Sequence, residues 1–237
     1  MLKQSKPTYN DLCKTPKNLL NVSSTKSKSQ YKAAEKRRFY AKSSVKGKIP
    51  PTVTEHCDAV ATLAAEYGEP LGLGKSAYIC GLFHDFGKRS DLFQQVLHGT
   101  VTGIDHAGPG AAALWSCRMP KEIIEVVAGH HAGLVAREVL EPYLSAICRG
   151  DPQTIALSGK TPSLIGKQQM QDAMSNFMDE HPGFAPQRPE AGTTSDVPWK
   201  SKLLRMMQTR MLYSCQVDAD YTISAQESDT NEVGFHE

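Results

Sequence analysis

Residues 80–88 read Cys-Gly-Leu-Phe-His-Asp-Phe-Gly-Lys, an apolar helical segment that ends in a histidine beside an aspartate. Adjacent side chains on a helix point about 100° apart, so His84 and Asp85 can converge on one point only near a helix end. Gly87 breaks the helix, and Lys88 follows it. An imidazole next to a carboxylate suits a borderline-to-hard divalent metal ion. The segment therefore predicts a metal site at the end of a helix.

Further histidines occur where such a site needs them. His56 lies on the apolar stripe of an upstream helix, His106 follows an aspartate, and a double histidine stands between the glycines of residues 129–133. A lone histidine on an apolar face is more often a satisfied core residue than a ligand, but the company of the others favours ligation here. His98, beside a glycine at a helix end, and His181, in a long loop, are not expected to be ligands. The candidates are therefore His56, His84, Asp85, His106, His130 and His131.

A late pair of aspartates completes the candidate set. The last long helix is predicted over about 198–224 and carries Asp218-Ala219-Asp220. Its buried side is expected to include Leu203, Met207 and Met211. Two carboxylates at the end of an apolar helix need a compensating partner, because a buried unpaired charge is costly. A metal ion would supply that partner, and spacing does not decide between Asp218 and Asp220.

The remaining helices follow from apolar periodicity. Thr52-x-x-Glu55 is a capping box that opens a helix whose buried stripe is expected to run from His56 to Tyr67. Helices are also predicted over about 75–84, 134–149 and 163–179, with loops over 150–162 and 181–198. No alternation typical of strands and no long repeat is present. The fold class predicted is all-α.

Length and composition are those of one domain with tails. The chain has 237 residues, 40% of them hydrophobic, and no run approaches the ~18 apolar residues of a membrane span. Its N-terminus lacks the apolar segment of a secretory signal. The six cysteines have no C-x-x-C spacing and several lie in apolar helical patterns, as reduced core thiols do. A reducing, cytoplasmic location is expected, with no membrane partner.

The charge is unevenly distributed. Residues 1–48 hold 13 Lys and Arg against 2 acidic residues, whereas the rest of the chain holds 14 against 23. A basic arm on an acidic body often indicates contact with nucleic acid, and a solvated leader is the alternative. We expect a basic flexible arm over 1–38, a domain over 39–225 and an acidic tail over 226–237.

Taken together, these motifs resemble one family, the HD nuclease domain of the CRISPR-associated type I interference nuclease-helicase. This family is part of the HD metal-dependent phosphohydrolase superfamily. The resemblance covers roughly Phe39 to Ser224. It rests on Glu55-His56, Gly81-Leu82-Phe83-His84-Asp85-Phe86-Gly87-Lys88, Phe93-Gln94, Asp105-His106, Gly129-His130-His131-Ala132-Gly133-Leu134, Arg210-Met211-Leu212 and Val217-Asp218-Ala219-Asp220.

The resemblance implies an HD-type helical bundle with a dinuclear metal site that cuts single-stranded DNA exposed by a guide-RNA surveillance complex. It implies a first metal held by His56, His84, Asp85 and a late aspartate, with Asp85 bridging to a second held by His106, His130 and His131. Asp220 is favoured as the late ligand, because in the family an alanine usually precedes it. The expected cofactors are two divalent transition metals (Mn, Fe, Ni or Co, with Mg possible).

Two residues are expected to act in catalysis, Asp85 as the bridging ligand and Lys88 as a clamp on the phosphate. Lys88 would stabilise the charge that develops in the transition state. Its structural alternative is a cation that complements a helix C-terminus. No Ser-His-Asp or Cys-His arrangement is evident, so the nucleophile expected is a metal-activated water.

The sequence departs from the family in two ways. The family's domain often opens with Tyr-Ala-His-Ser, whereas this chain has Lys42 in place of the histidine. No G-x-x-x-x-G-K-[ST] phosphate loop of a helicase motor is present. The chain is therefore expected to be a stand-alone nuclease subunit, a fragment or a truncated product, with a separate helicase subunit as a possible partner.

Two other functions compete with the nuclease. One is an HD phosphohydrolase acting on nucleotides or cyclic dinucleotides, which would not require His106 or the double histidine. The other is a non-catalytic module that binds DNA or an interference complex through residues 1–48. The full ligand set argues against the second, and the basic arm favours a polymer over a small substrate.

Overall fold

A computed structural model describes residues 38–44, 49–151, 167–182, 184 and 202–229. Over these residues the chain forms eight α-helices and no β-strand, so the predicted all-α class is confirmed. Short 3-10 turns follow the first two helices at Glu69–Leu71 and Phe86–Arg89. The helices are α1 (Val53–Gly68), α2 (Gly74–Phe83), α3 (Asp91–Leu97), α4 (Ala107–Ser116), α5 (Lys121–Gly129), α6 (Arg137–Arg149), α7 (Lys167–Glu180) and α8 (Lys202–Asp229).

The first helix begins as its sequence predicts. The Thr52 hydroxyl accepts from the Glu55 backbone N–H at 3.2 Å, and the Glu55 carboxylate accepts from the Thr52 backbone N–H at 2.8 Å. This reciprocal capping box is confirmed. The buried face, however, is centred on small residues that bring α2 close. Tyr67 lies at the edge of that face and is 40% exposed, so its predicted burial is wrong.

A short segment, residues 39–44 (the strap), precedes α1. Phe39 is buried, and its carbonyl accepts from the backbone N–H of Val53 at 2.8 Å. The backbone N–H of Ala41 donates to the Pro51 carbonyl at 3.0 Å. These two hydrogen bonds fix the strap against the start of α1.

The closest helix contact joins α1 to α2. A Cβ built on Gly81 would lie 2.5 Å from the Cα of Ala61 and 2.7 Å from its nitrogen. Backbone atoms cannot move aside as a flexible side chain can, so only glycine permits this approach. The same approach brings the His56 and His84 rings to a centroid separation of 5.3 Å.

Aromatic rings and a buried ion pair attach α7 to the end of α2. Phe83 packs against Phe86 and Phe177, with ring centroids 5.5 and 4.9 Å away. Arg89 is fully buried, and its Nε lies 2.6 Å from a Glu180 oxygen. A buried arginine is tolerated only when its charge is paired, and Glu180 supplies the pair.

The last helix differs from the prediction in length and in its buried face. It continues to Asp229, so the first residues of the predicted acidic tail are helical. Leu203, Met207 and Met211 are exposed, and their predicted burial is wrong. The buried face instead carries mostly small or polar residues, with Leu212 among them. Its buried residues are Gln208, Thr209, Leu212, Cys215, Gln216 and Ala219.

Several predicted segments lie outside the described residues. These are the basic arm apart from Arg38, most of the predicted loops over 150–162 and 181–198, and the tail from residue 230. By its internal contacts the chain divides into two units, Met1–Arg38 and Phe39–Glu237. Among the described helices, none is both long and apolar enough to cross a membrane.

Candidate metal centre

The ends and faces of five helices carry the seven predicted ligands to one place. Three of the seven are histidines at a helix end: His84 follows α2, His106 precedes α4, and His130 follows α5. His56 lies on the buried face of α1 and Asp220 on α8. They form two groups, each with ligand atoms within 4.8 Å of one another. The first group is His56, His84 and Asp220, and the second is Asp85, His106, His130 and His131.

Asp85 connects the two groups. One of its oxygens, Oδ2, lies 3.5 Å from the Nε2 of His56 and 3.4 Å from the Nε2 of His84. The other, Oδ1, lies 3.4 Å from the Nε2 of His106 and 3.9 Å from that of His130. The carboxylate is almost fully buried between them. Each oxygen therefore faces a different group, which is the arrangement of a bridging carboxylate.

Two buried histidines have their tautomer fixed by a backbone carbonyl. The Nδ1 of His84 lies 2.6 Å from the Gly81 oxygen, and the Nδ1 of His130 lies 2.9 Å from the Val127 oxygen. A carbonyl can only accept, so Nδ1 carries the proton in both rings. Each Nε2 is then a bare lone pair directed toward Asp85.

The centre leaves buried polar atoms without a hydrogen bond. Within the described part of the chain, the Nε2 atoms of His84 and His130 and the Oδ1 of Asp85 have no hydrogen-bond partner. Buried lone pairs of this kind are costly unless something compensates them. All three are acceptors, so a cation compensates them where a further acceptor could not. The donor set of imidazoles and carboxylates therefore fits a divalent metal ion.

In the first group, opposite charges shift the pKa values of His56 and Asp220 in opposite directions. Burial would lower the pKa of His56, but hydrogen bonds to Asp220 and Glu227 and the charge of Asp85 raise it to about 9. The Nε2 of His56 lies 3.4 Å from Asp220 Oδ1. Burial would raise the pKa of Asp220, but the hydrogen bond from His56 and the neighbouring imidazoles lower it to about 2. The charges of His56 and Asp220 therefore stabilise each other.

The three histidines of the second group are neutral, and one of them is exposed at the surface. Burial, with the charge of Lys88 and the neighbouring imidazoles, lowers the pKa of His106 to about 3 despite Asp85. Burial also lowers the pKa of His130 and of His131. The Nε2 atoms of His106 and His131 are 2.8 Å apart, and His131 is exposed. The second group therefore offers neutral imidazoles at the mouth of the site.

Hydrogen bonds hold His106 in place. The backbone N–H of Gly87 donates to the His106 carbonyl at 3.1 Å, and a Cβ on Gly87 would lie 2.6 Å from that oxygen. Asp105 accepts from the backbone N–H of Ala107 at 3.0 Å and from the Tyr143 hydroxyl. The turn that carries Asp85 is thus tied directly to the residue that carries the next ligand.

Lys88 extends to the centre, where its ammonium group pairs with the ligand Asp85. Its Nζ lies 2.6 Å from Asp85 Oδ2 and donates to the Ala41 carbonyl of the strap at 3.1 Å. Burial would lower the pKa of Lys88, but the Asp85 charge raises it. The lysine is therefore cationic beside the site, and its role as a phosphate clamp stays a prediction.

The structure brings Asp220, and not Asp218, to the ligands. Asp218 is exposed, while Asp220 Oδ1 lies within 3.7 Å of His84 Nε2. The two histidines not expected to be ligands lie elsewhere: His98 ends α3, and His181 is bonded to Asp58 at 3.1 Å.

Two residues beside the site were missed from sequence. Glu227 Oε1 lies 3.0 Å from the Nδ1 of His56, and Lys42 Nζ lies 2.8 Å from Glu227 Oε2. Glu227 follows Asp220 by seven residues, which returns a helix to the same face. That spacing could have identified it had α8 been extended past residue 224.

No protein-family model matches the chain, and no curated protein matches it significantly.

Proposed function

We propose that the chain is a metal-dependent nuclease that hydrolyses phosphodiester bonds in single-stranded DNA. The observation that carries this proposal is Asp85, buried with one oxygen facing each of two ligand groups. Buried lone pairs without hydrogen-bond partners in both groups support cation binding. A bridged pair of sites is the arrangement used by many enzymes that hydrolyse phosphate esters.

The residues divide naturally between two ions. His56, His84 and Asp220 would hold the first, His106, His130 and His131 the second, and Asp85 would contact both. When bound, two divalent cations supply Lewis-acid activation of a phosphate and lower the pKa of a bound water. Imidazole-rich ligation favours Mn, Fe, Ni or Co, with Mg as the less suitable choice.

The charge of the centre favours an anionic substrate. Five of the seven ligands are histidines and two are aspartates. Two dications with two carboxylates retain a formal charge of +2, and Lys88 adds a cation beside Asp85. An all-carboxylate site would lose this attraction for phosphate. The ligand chemistry therefore supports hydrolysis of a phosphodiester rather than of a neutral ester or amide.

Two features support a polymeric DNA substrate. The first 48 residues carry 13 basic against 2 acidic residues, which favours contact with a polyanion. The motif resemblance adds the expectation of single-stranded DNA exposed by a guide-RNA surveillance complex, with a separate helicase subunit. Recruitment to such a complex, and a role in antiviral defence, belong to the proposal on that resemblance alone.

The test uses circular single-stranded DNA, which lacks ends and so reports endonuclease activity. Metal-free protein is incubated with Mn²⁺, Fe²⁺, Ni²⁺, Co²⁺, Mg²⁺ or EDTA. We expect cleavage with transition metals, none with EDTA, and little on duplex DNA. Asp85→Ala should abolish cleavage, while Asp218→Asn, an exposed carboxylate change on α8, should leave it intact.

Two outcomes would contradict the proposal at different levels. Intact circles together with hydrolysis of nucleotides or cyclic dinucleotides would replace the DNA substrate but leave the metal centre in place. Metal binding without hydrolysis of any phosphate ester would identify a non-catalytic module.

A further inference from the structure

His56 differs from the other buried histidines in the partner of its outer nitrogen. His84 and His130 each place Nδ1 on a backbone carbonyl, at 2.6 and 2.9 Å. His56 instead places Nδ1 on a carboxylate oxygen of Glu227, at 3.0 Å. A carboxylate is charged and belongs to a side chain, so this contact is both stronger than a neutral one and removable by substitution.

Glu227 is itself held on its other oxygen. Its Oε2 lies 2.8 Å from the Nζ of Lys42, whose Nζ also lies 3.5 Å from the Ser224 carbonyl. The side chains of Lys42 and Glu227 are 30% and 17% exposed, so the pair is shielded on most sides. One oxygen to a lysine and the other to an imidazole leaves the carboxylate little rotational freedom.

We infer that Glu227, fixed by Lys42, is a positioning residue for the first ligand group. It accepts the Nδ1–H of His56 and thereby turns the Nε2 lone pair toward Asp85 and Asp220, which lie 3.5 and 3.4 Å away. A carboxylate behind a ligating histidine also makes the imidazole a better donor. The inference rests on the metal centre proposed above and deepens it.

The strap is linked to both ligand groups. Its residue Lys42 supports Glu227, and its neighbour Ala41 accepts from Lys88, which pairs with Asp85. The strap thus contacts His56 through Glu227 and Asp85 through Lys88. Lys42 is thereby the cation that fixes Glu227.

The experiment measures metal affinity, because a positioning role for Glu227 predicts weaker binding at the first group in a protein that remains folded. Metal-free full-length protein is titrated with Co²⁺ by calorimetry, in the wild type and in a His131→Ala background that weakens the second group. In that background the remaining ion reports on the first group. We expect Glu227→Ala to weaken this ion by about 10- to 100-fold. Glu227→Gln should lose less, since an amide oxygen can still accept from Nδ1.

Further variants separate charge from position. Lys42→Met should weaken the same ion, by less than Glu227→Ala, and Lys42→Arg should restore part of the loss because it keeps the cation. Asp218→Asn is the matched control on α8 and should bind as the wild type does. Circular dichroism and thermal melts of each metal-free variant check that the fold is retained.

The outcomes distinguish this inference from the proposal beneath it. A wild-type chain that takes up no ion overturns the metal centre and the inference together. A wild type that binds two ions, with a Glu227→Ala isotherm that superimposes on it, overturns the inference alone. If Glu227→Ala and Glu227→Gln both weaken the two ions to the same extent and both lower the Tm, Glu227 has a structural role. That result also overturns the inference.

Discussion

Asp85 directs one oxygen at each ligand group and is almost fully buried, so both groups depend on this single side chain. His131, in contrast, belongs to the second group alone and lies at the exposed mouth. Substituting these two residues should therefore have different effects on metal content. The comparison separates a bridged centre from two independent sites.

Metal stoichiometry tests this difference. Under anaerobic loading, we expect about two transition-metal ions per wild-type chain and about none in Asp85→Ala, because the bridge serves both. His131→Ala should retain about one ion, since the first group is unchanged. Elemental analysis of folded protein provides the measurement. An Asp85→Ala protein that keeps one tightly bound ion would show that the groups are independent.

The stability of the metal-free protein should depend on pH through His56. Its pKa in the folded chain is about 9, above its usual 6.5. A raised folded pKa gives stability that is fully present below 6.5 and is lost as the pH rises through 9. Metal ions compete with the same proton, so affinity at the first group should rise with pH over that interval.

Thermal melts and Co²⁺ titrations from pH 6.5 to 9 measure these two trends. His56→Gln should flatten the melting trend, because the neutral amide does not titrate. If the Tm values of the wild type and of His56→Gln fall equally with rising pH, the trend belongs to groups other than His56.

For single residues, the site could be predicted from sequence because of where the candidate ligands occur. Histidines at helix ends, beside an aspartate or a second histidine, have no simpler role in a core, and all seven predicted residues meet at one centre. Sequence did not decide between Asp218 and Asp220, because residues two apart lie on roughly opposite faces of a helix and the apolar pattern did not show which face is buried. It also missed Glu227, because its effect depends on a contact between α1 and α8 that no local pattern contains.

At the scale of helices, the approach of α1 and α2 determines how near His56 and His84 lie. Gly81→Ala should destabilise the protein by about 1–3 kcal/mol, because the added methyl group meets the backbone of Ala61. Separation of the helices should also weaken metal binding at the first group. Urea denaturation and Co²⁺ titration measure the two effects. Wild-type stability in this variant would show that α1 and α2 can adjust without cost.

The buried pair of Arg89 and Glu180 holds α7 against the turn after α2. Arg89→Met should destabilise the fold by about 3–5 kcal/mol, because it leaves a buried carboxylate without its partner. The double variant Arg89→Met with Glu180→Met should recover much of that loss, since no charge then remains buried.

An exposed ion pair supplies the matched control. Arg137 and Glu141 form an i,i+4 pair on α6 with side chains more than 40% exposed. Arg137→Met should therefore cost only about 0–1 kcal/mol. Equal effects of Arg89→Met and Arg137→Met in urea denaturation would show that burial of the first pair does not matter.

Helix α8 shows why faces are harder to predict than helix positions. Leu203, Met207 and Met211 mark one stripe by hydrophobicity, yet the buried stripe carries Leu212, Cys215, Gln216 and Ala219. Polar residues such as Gln216 are buried there, which a prediction from hydrophobicity alone does not expect. The start of α1 was predictable because the Thr52 and Glu55 capping box depends on local contacts only.

For the whole molecule, the uneven charge leads to a prediction on DNA binding. Deletion of residues 1–37 removes much of the basic excess of the first 48 residues. We expect weaker binding to single-stranded DNA and a flatter dependence of log K on log salt, since each phosphate contact contributes about 0.7 to that slope. Metal content should not change. An unchanged slope would assign the arm no part in DNA binding.

The two ligand groups also differ in how far along the chain they extend. All four residues of the second group fall within residues 85–131, whereas the first group begins at His56 and needs Asp220 on the last described helix. During synthesis, the ribosome therefore releases every ligand of the second group long before the first group can be completed. A nascent chain cut short ahead of α8 keeps Asp85 and its histidines but lacks Asp220 and the Glu227 carboxylate that contacts His56. Translation through α8 is thus the step that makes a paired centre possible.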